Sequence, residues 1–181
     1  MFSKLLKVSV LTLLTYLLQA TVSEYISVWG VAPNIALALI AVMTVCLGRK
    51  YTFIISLAIG YLLEVMLPSL DYINLIIYPV CAMLGALVFA DKSERALEEA
   101  KSGGREIIQL HPHIRTPLCA GVSILVFEIV NLLYIYLSGV SLDSGHFLRS
   151  FICILYTMVL AGIFQFPIRL WLGTYKLKKA R

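Results

Sequence analysis

Two histidines, four cysteines and two carboxylates in apolar surroundings are the residues of this sequence that could do chemistry. His111 and His113 flank a proline without a carboxylate or cysteine companion, which is too little for a metal site. The cysteines all fall in apolar segments and lack CxxC spacing, so we interpret them as small core residues. They are Cys46, Cys81, Cys119 and Cys153. No nucleophile-elbow, zinc-protease, phosphate-loop or dinucleotide motif is present, so the sequence predicts no catalytic, metal or cofactor site.

Glu64 is the first of the two carboxylates, and an ionised carboxylate deep in lipid costs several kcal/mol. Ser56 and Gly60 precede it at helical spacing, so the three share one face to which small residues admit a close neighbour. Its oxygens would then accept hydrogen bonds from a neighbouring helix or from a partner. Alternatively, Glu64 reaches water at the outer surface, because it lies only four residues before Pro68.

Glu128 is the second carboxylate, and it lies near the middle of a long apolar stretch. Asn131 follows three residues later on the same helical face, so the two predict a polar patch. A buried hydrogen-bonding role is one interpretation of Glu128, and proton or ligand binding is the other.

The composition indicates which elements hold these carboxylates. Of 181 residues, 60% are hydrophobic and 14% charged, whereas a soluble domain carries about 25% charged residues. The apolar stretches are continuous, so helices are expected to satisfy the backbone in lipid. The predicted fold class is therefore all-α: one integral membrane domain of six transmembrane helices. The spans cover residues of about 5–22, 33–48, 51–67, 72–89, 116–138 and 151–172.

Basic residues predict the orientation of these spans. With both termini in the cytoplasm, fourteen of the 15 lysines and arginines lie on the cytoplasmic side and only Arg149 lies outside. The one sizeable polar loop, 91–115, is then cytoplasmic; we expect it to be helical at its start and flexible around 102–104. Because topology accounts for the net charge of +5, we expect contact with membrane lipid and no nucleic-acid partner.

From Pro33 to Phe89 the sequence resembles the rod-shape-determining MreD family, over about a third of the chain. The shared features are a proline that opens span two, a basic turn, a glycine and an acid in span three, and a motif leading into span four. They are Pro33-Asn34, Gly48-Arg49-Lys50, Gly60-Tyr61-Leu62-Leu63-Glu64, Leu70-Asp71-Tyr72-Ile73-Asn74 and Gly85. The family has aspartate where this chain has Asn34, and usually aspartate where it has Glu64.

The resemblance implies a non-enzymatic scaffold in the bacterial cytoplasmic (inner) membrane, without a cofactor. Its partner would be the bitopic protein MreC, in the cell-wall elongation machinery with the actin-like MreB, the glycosyltransferase RodA and a class B penicillin-binding protein. Candidate partner-binding or helix-packing residues are Pro33, Asn34, Ser56, Gly60, Glu64, Asn74, Gly85, Glu128 and Asn131.

A second hypothesis follows from the fold of the family, which resembles the substrate-binding components of energy-coupling-factor vitamin transporters. Such a component would bind a small vitamin in an outward-facing cavity with several convergent polar groups. The polar residues predicted on that side are Glu24, Asn34, Asp71, Asn74, Asp143, His146 and Arg149.

Overall fold

The computed structural model describes residues 2–23, 25–66, 72–89 and 111–173, and they form six helices. Helix α1 covers Phe2–Leu17 and continues as a π-helical turn over Leu18–Val22. The others are α2 (Ile35–Leu47), α3 (Arg49–Met66), α4 (Ile73–Phe89), α5 (Pro112–Leu137) and α6 (Ser144–Leu172). Within the described ranges the only β pairing is an isolated bridge between Val28 and Val31. The all-α class is confirmed.

Three of the helical segments are long and apolar enough to cross a membrane: Leu5–Val22, His113–Leu137 and Ser144–Leu172. Helices α2 and α4 are apolar but shorter. Helix α3 has 18 residues, of which Arg49, Lys50 and Glu64 are charged. The long apolar helices indicate a membrane protein.

Helix α2 is the centre of the bundle. The other helices surround it in the order α1, α3, α4, α5, α6, with each packed on the next and α6 packed again on α1. Every residue of α2 from Ile35 to Val45 is buried, as expected for a helix that is apolar on all sides. Its 13 residues reach only about 20 Å. A helix enclosed by protein need not match the roughly 30 Å thickness of the hydrocarbon core, so α2 can be shorter than a lipid-exposed span.

Helix boundaries differ most from the predicted spans at α5 and α6. Helix α5 begins at Pro112, so residues 112–115 are helical although the sequence placed them in the loop 91–115. His111 is the N-cap there and proline occupies the first helical position. Helix α6 begins at Ser144, before the predicted start at 151, because Asp143 and His146 form a capping box. Hydropathy locates only the apolar part of each helix, whereas the capping residues determine where α5 and α6 begin. The rest of the predicted loop lies outside the described residues.

Candidate functional site

Glu64 holds the beginning of α4. One carboxylate oxygen accepts a hydrogen bond from the backbone N–H of Tyr72 at 3.1 Å, and the other accepts from the N–H of Asn74 at 2.9 Å. The first N–H groups of a helix have no partner within the helix, so a carboxylate there satisfies them and complements the helix dipole. Tyr72 has a left-handed φ of 64°, which costs roughly 1 kcal/mol for a side-chain-bearing residue. The hydrogen bond that the Tyr72 N–H donates to Glu64 offsets that cost.

The small residues that precede Glu64 bring α3 and α4 together. A Cβ atom added to Gly60 would lie 2.6 Å from the backbone oxygen of Asn74, so only glycine permits this approach. Ser56 is fully buried, and its hydroxyl donates to the carbonyl of Phe53 at 3.1 Å. The face predicted from Ser56, Gly60 and Glu64 thus includes the α3–α4 contact.

Arg49 performs the equivalent task at the other end of α4. Its Nε donates to the carbonyl of Ala86 at 3.3 Å and its Nη2 to the carbonyl of Leu87 at 3.0 Å. Both carbonyls belong to the last turn of α4, where a cation is favoured. Helix α3 therefore carries a positive group at its first residue and a negative group near its last turn, and together they clamp both ends of α4. The sequence placed Arg49 among the basic residues that set the orientation and in the basic turn of the resemblance, but it did not predict these two bonds. The sequence feature that could have indicated this role is the pair of opposite charges, Arg49 and Glu64, near the two ends of the 18-residue helix α3.

Asn34 is the N-cap of the central helix α2. The helix therefore begins at Ile35, two residues after Pro33, which was predicted to open it. Its side-chain oxygen accepts from the N–H of Leu37 at 3.0 Å, and its own N–H donates to the Thr157 hydroxyl at 3.2 Å. Gln19, in the π-helical turn, accepts from the N–H of Ala36 at 2.9 Å. Buried helix starts need such partners because no water reaches them. Gln19 and Thr157 were not among the predicted residues, although each is polar within an apolar span.

Glu128 faces α6. It is 8% exposed, and one of its oxygens accepts from the Ser150 hydroxyl at 2.7 Å. Asn131 does not join it, because its side chain is exposed and lines the space between α5 and α4. The polar patch predicted from their spacing is thus divided between two sides of α5. The bond from Ser150 agrees with the interpretation of Glu128 as a buried hydrogen-bonding group.

Gly85 allows α4 to approach α5. A Cβ atom there would collide with the Ser123 hydroxyl and would lie 3.1 Å from the carbonyl of Cys119. Cys119, Cys81 and Cys153 are buried and Cys46 is half-buried, in agreement with their interpretation as small packing residues. Gly85 therefore packs helices together, like Gly60.

Two open crevices lie on the described surface. One, of about 360 Å³, separates α1 from α3 and is lined almost entirely by apolar side chains such as Val8, Leu13 and Ile54. The other, of about 280 Å³, separates the first turns of α4 from the last turns of α5. Asn74 and Asn131 both line this second crevice, together with Ile77, Phe127 and Tyr134. The fold thus brings two of the predicted residues together across a gap.

The described contacts of these residues are hydrogen bonds and ring stacking. Within the described ranges, no group of three or more histidine, cysteine or acidic side chains could hold a metal ion. His111 stacks on His113, with ring centres 4.9 Å apart, and His113 stacks on Phe166 at 5.3 Å. The geometry around Glu64 and Glu128 indicates carboxylates that organise helices.

Comparisons with protein-family models, with curated proteins and with solved structures found no match.

Proposed function

We propose that this protein is a non-enzymatic membrane scaffold of the bacterial cell-wall elongation machinery that binds MreC and helps to maintain a rod shape. It would lie in the cytoplasmic membrane with six spans and both termini inside. Through MreC it would join MreB, RodA and a class B penicillin-binding protein. The basis is the resemblance to the MreD family, read together with what the matching residues do in the fold.

The observation that carries this proposal is the clamp that α3 places on α4. The residues of the resemblance include Arg49, Gly60 and Glu64, and they either bond to the ends of α4 or admit its close approach. Asn34 similarly starts the central helix. A motif whose members hold helices together suits a protein that presents a fixed surface to partners, with no reaction to perform.

Contacts between helix ends support the proposed orientation. Lys7 donates to the carbonyl of Trp171 at 3.0 Å, which places the start of α1 beside the end of α6. Arg169 donates to the Thr116 hydroxyl at 3.1 Å, and this bond joins the end of α6 to the start of α5. Arg49 joins the start of α3 to the end of α4. The basic residues in these contacts collect at one end of the bundle, as the positive-inside rule expects of a cytoplasmic side.

Reporter fusions test the proposed topology. Reporters placed after Leu67 or at Gly145 should read as external, whereas those at Ser102 or after Arg181 should read as cytoplasmic. The fourteen-to-one distribution of basic residues motivates this expectation. A cytoplasmic signal at Gly145 contradicts six spans.

Co-purification from solubilised membranes tests the function. A tagged full-length chain should recover MreC, and a tagged unrelated membrane protein of similar abundance should not. Recovery of an ATPase module would instead favour the vitamin-transporter hypothesis. Three of the polar residues predicted for a vitamin site, Asn34, Asp143 and His146, serve as helix caps in the described structure. Recovery of neither partner contradicts both.

A further inference from the structure

The connection between α1 and α2 contains a tight hairpin that displays a tryptophan. Val28 and Val31 exchange two backbone hydrogen bonds, of 3.1 and 3.0 Å. Trp29 and Gly30, the two residues between them, have φ values of 52° and 74°. Positive φ at both central positions is typical of a type I′ turn, in which a bulky residue is an outlier. Trp29 is nevertheless 86% exposed, so the turn presents its ring outward and does not pack it in the fold.

Contacts with α6 fix the depth at which this hairpin is attached. On one side of the hairpin, the hydroxyl of Tyr156 donates to the carbonyl of Ile26 at 2.6 Å. On the other side, the thiol of Cys153 donates to the carbonyl of Ala32 at 3.6 Å. Helix α6 begins at Ser144, so these two residues lie twelve and nine positions into it, about 18 Å and about 13 Å along the helix. Both sides of the hairpin are therefore held well below the start of α6.

The length of α6 relates that depth to the bilayer. Its 29 residues span about 43 Å, which matches the roughly 40–45 Å of a bilayer with its headgroup regions. Three positions separate Trp29 from Ile26 and three separate it from Ala32, a distance of at most about 10 Å in a fully extended chain. The backbone of Trp29 therefore stays below the start of α6 even if the hairpin points straight outward. The hairpin lies within the thickness of the bilayer.

The chemistry of the hairpin suits a lipid surface. Residues 25–33 carry no charge, and Tyr25 and Val28 are exposed beside Trp29. Tryptophan and tyrosine collect where acyl chains meet headgroups, because their rings are apolar and their N–H or O–H groups can bond to the interface. Irregular backbone at membrane depth must also satisfy its polar groups within the protein, as the paired Val28 and Val31 do. Depth, composition and backbone pairing thus select lipid as the partner of the exposed rings.

We propose that residues 25–33 form a membrane-inserted anchor that holds the indole of Trp29 where the headgroups and acyl chains of the outer leaflet meet. The connection between α1 and α2 is then part of the membrane-embedded protein and not an external loop. The anchor fixes the depth of the turn from which the central helix starts. Only the name of the leaflet depends on the proposed orientation, and the insertion itself requires no partner protein.

Fluorescence quenching in proteoliposomes tests the depth of Trp29. The chain has two tryptophans, so Trp171→Phe, or Trp171→Tyr if the first variant does not fold, leaves Trp29 as the only one. Phospholipids brominated near the headgroup end of the acyl chain should quench its emission more strongly than phospholipids brominated near the methyl end. Iodide, present on both sides of the vesicle membrane, should quench it little, because the ring is out of water.

The matched control is Ser141→Trp in a chain that also carries Trp29→Phe and Trp171→Phe. Ser141 is exposed in the connection between α5 and α6, on the same side of the membrane as the hairpin. Its tryptophan should be quenched more by iodide and less by brominated lipid than Trp29. If Trp29 instead matches this control, the hairpin is an external loop open to water or to a protein partner, and the inference is overturned. Recovery of MreC is measured separately, so that result would leave the proposed function standing.

Discussion

The substitution Glu64→Leu tests the clamp most directly, because it removes both acceptors at the start of α4 and keeps a side chain of similar size. The N–H groups of Tyr72 and Asn74 would lose bonds of 3.1 and 2.9 Å. Each bond to a charged group contributes about 1.5–3 kcal/mol, but Glu64 is half-buried and water can replace part of the loss. We therefore expect the free energy of unfolding to fall by about 2 kcal/mol, near the upper end for loss of an N-cap.

The measurement is the melting temperature of the purified protein in detergent, followed by tryptophan fluorescence. About 1 kcal/mol corresponds to about 2–4 °C in a chain of this size, so Glu64→Leu should melt about 4–8 °C lower. Glu64→Asp keeps the charge and restores the residue usual in the MreD family. Its shorter reach should cost less than about 1 kcal/mol, since the interaction with the helix dipole remains. Val65→Leu, at the exposed neighbouring position, is the matched control and should melt with the unmodified protein.

The same variants connect the clamp to the proposed partner. If α3 and α4 must be held together for MreC to bind, Glu64→Leu lowers MreC recovery at matched membrane abundance while insertion is unchanged. A melting temperature for Glu64→Leu equal to that of the unmodified protein would refute the clamp. Glu64 would then be a hydrated carboxylate at the outer surface.

Three further sets of variants have clear expected outcomes. Gly60→Ala should lower the melting temperature through its clash with Asn74, whereas Gly162→Ala, with no atom within 4 Å of the added Cβ, should raise it slightly because alanine favours helix; equal effects would contradict the close approach. Glu128→Gln keeps an acceptor for Ser150 and should be tolerated, but Glu128→Leu leaves a buried hydroxyl unpaired and should cost about 1–3 kcal/mol in thermal unfolding. Deletion of residues 102–105 should leave membrane insertion and MreC recovery intact, and loss of insertion would show that the segment belongs to the folded core.

The membrane class and the existence of the helices follow from composition, because a continuous apolar stretch has few alternatives in lipid. The ends of the helices follow less well. Helix α6 begins with Ser144, Gly145 and His146, which are too polar to count toward a span, so only the capping box marks its start. The close approach of α3 was predictable from the local spacing of Gly60 and Glu64.

The roles that the sequence alone did not predict all depend on contacts between distant parts of the chain. Arg49 bonds to Ala86 and Leu87, 37 and 38 residues away, and Asn34 bonds to Thr157, 123 residues away. A lone polar residue in a span indicates that a partner exists, but which partner depends on the order of helices around α2. For the same reason, spacing alone put Glu128 and Asn131 in one patch, whereas the different neighbours of α5 separate them.

The central position of α2 has a consequence for how the protein is made. Helices α2 and α3 are joined by Gly48 alone, at a φ of 83°, so the two form one hairpin. Helix α6 is synthesised after the other five described helices, yet it supplies the Thr157 hydroxyl for the start of α2 and packs along that helix. Until α6 arrives, α2 has an open side and an unsatisfied N-terminus. The core around α2 is therefore complete only once α6 has been made, and a nascent chain that stalls before it has an incomplete core.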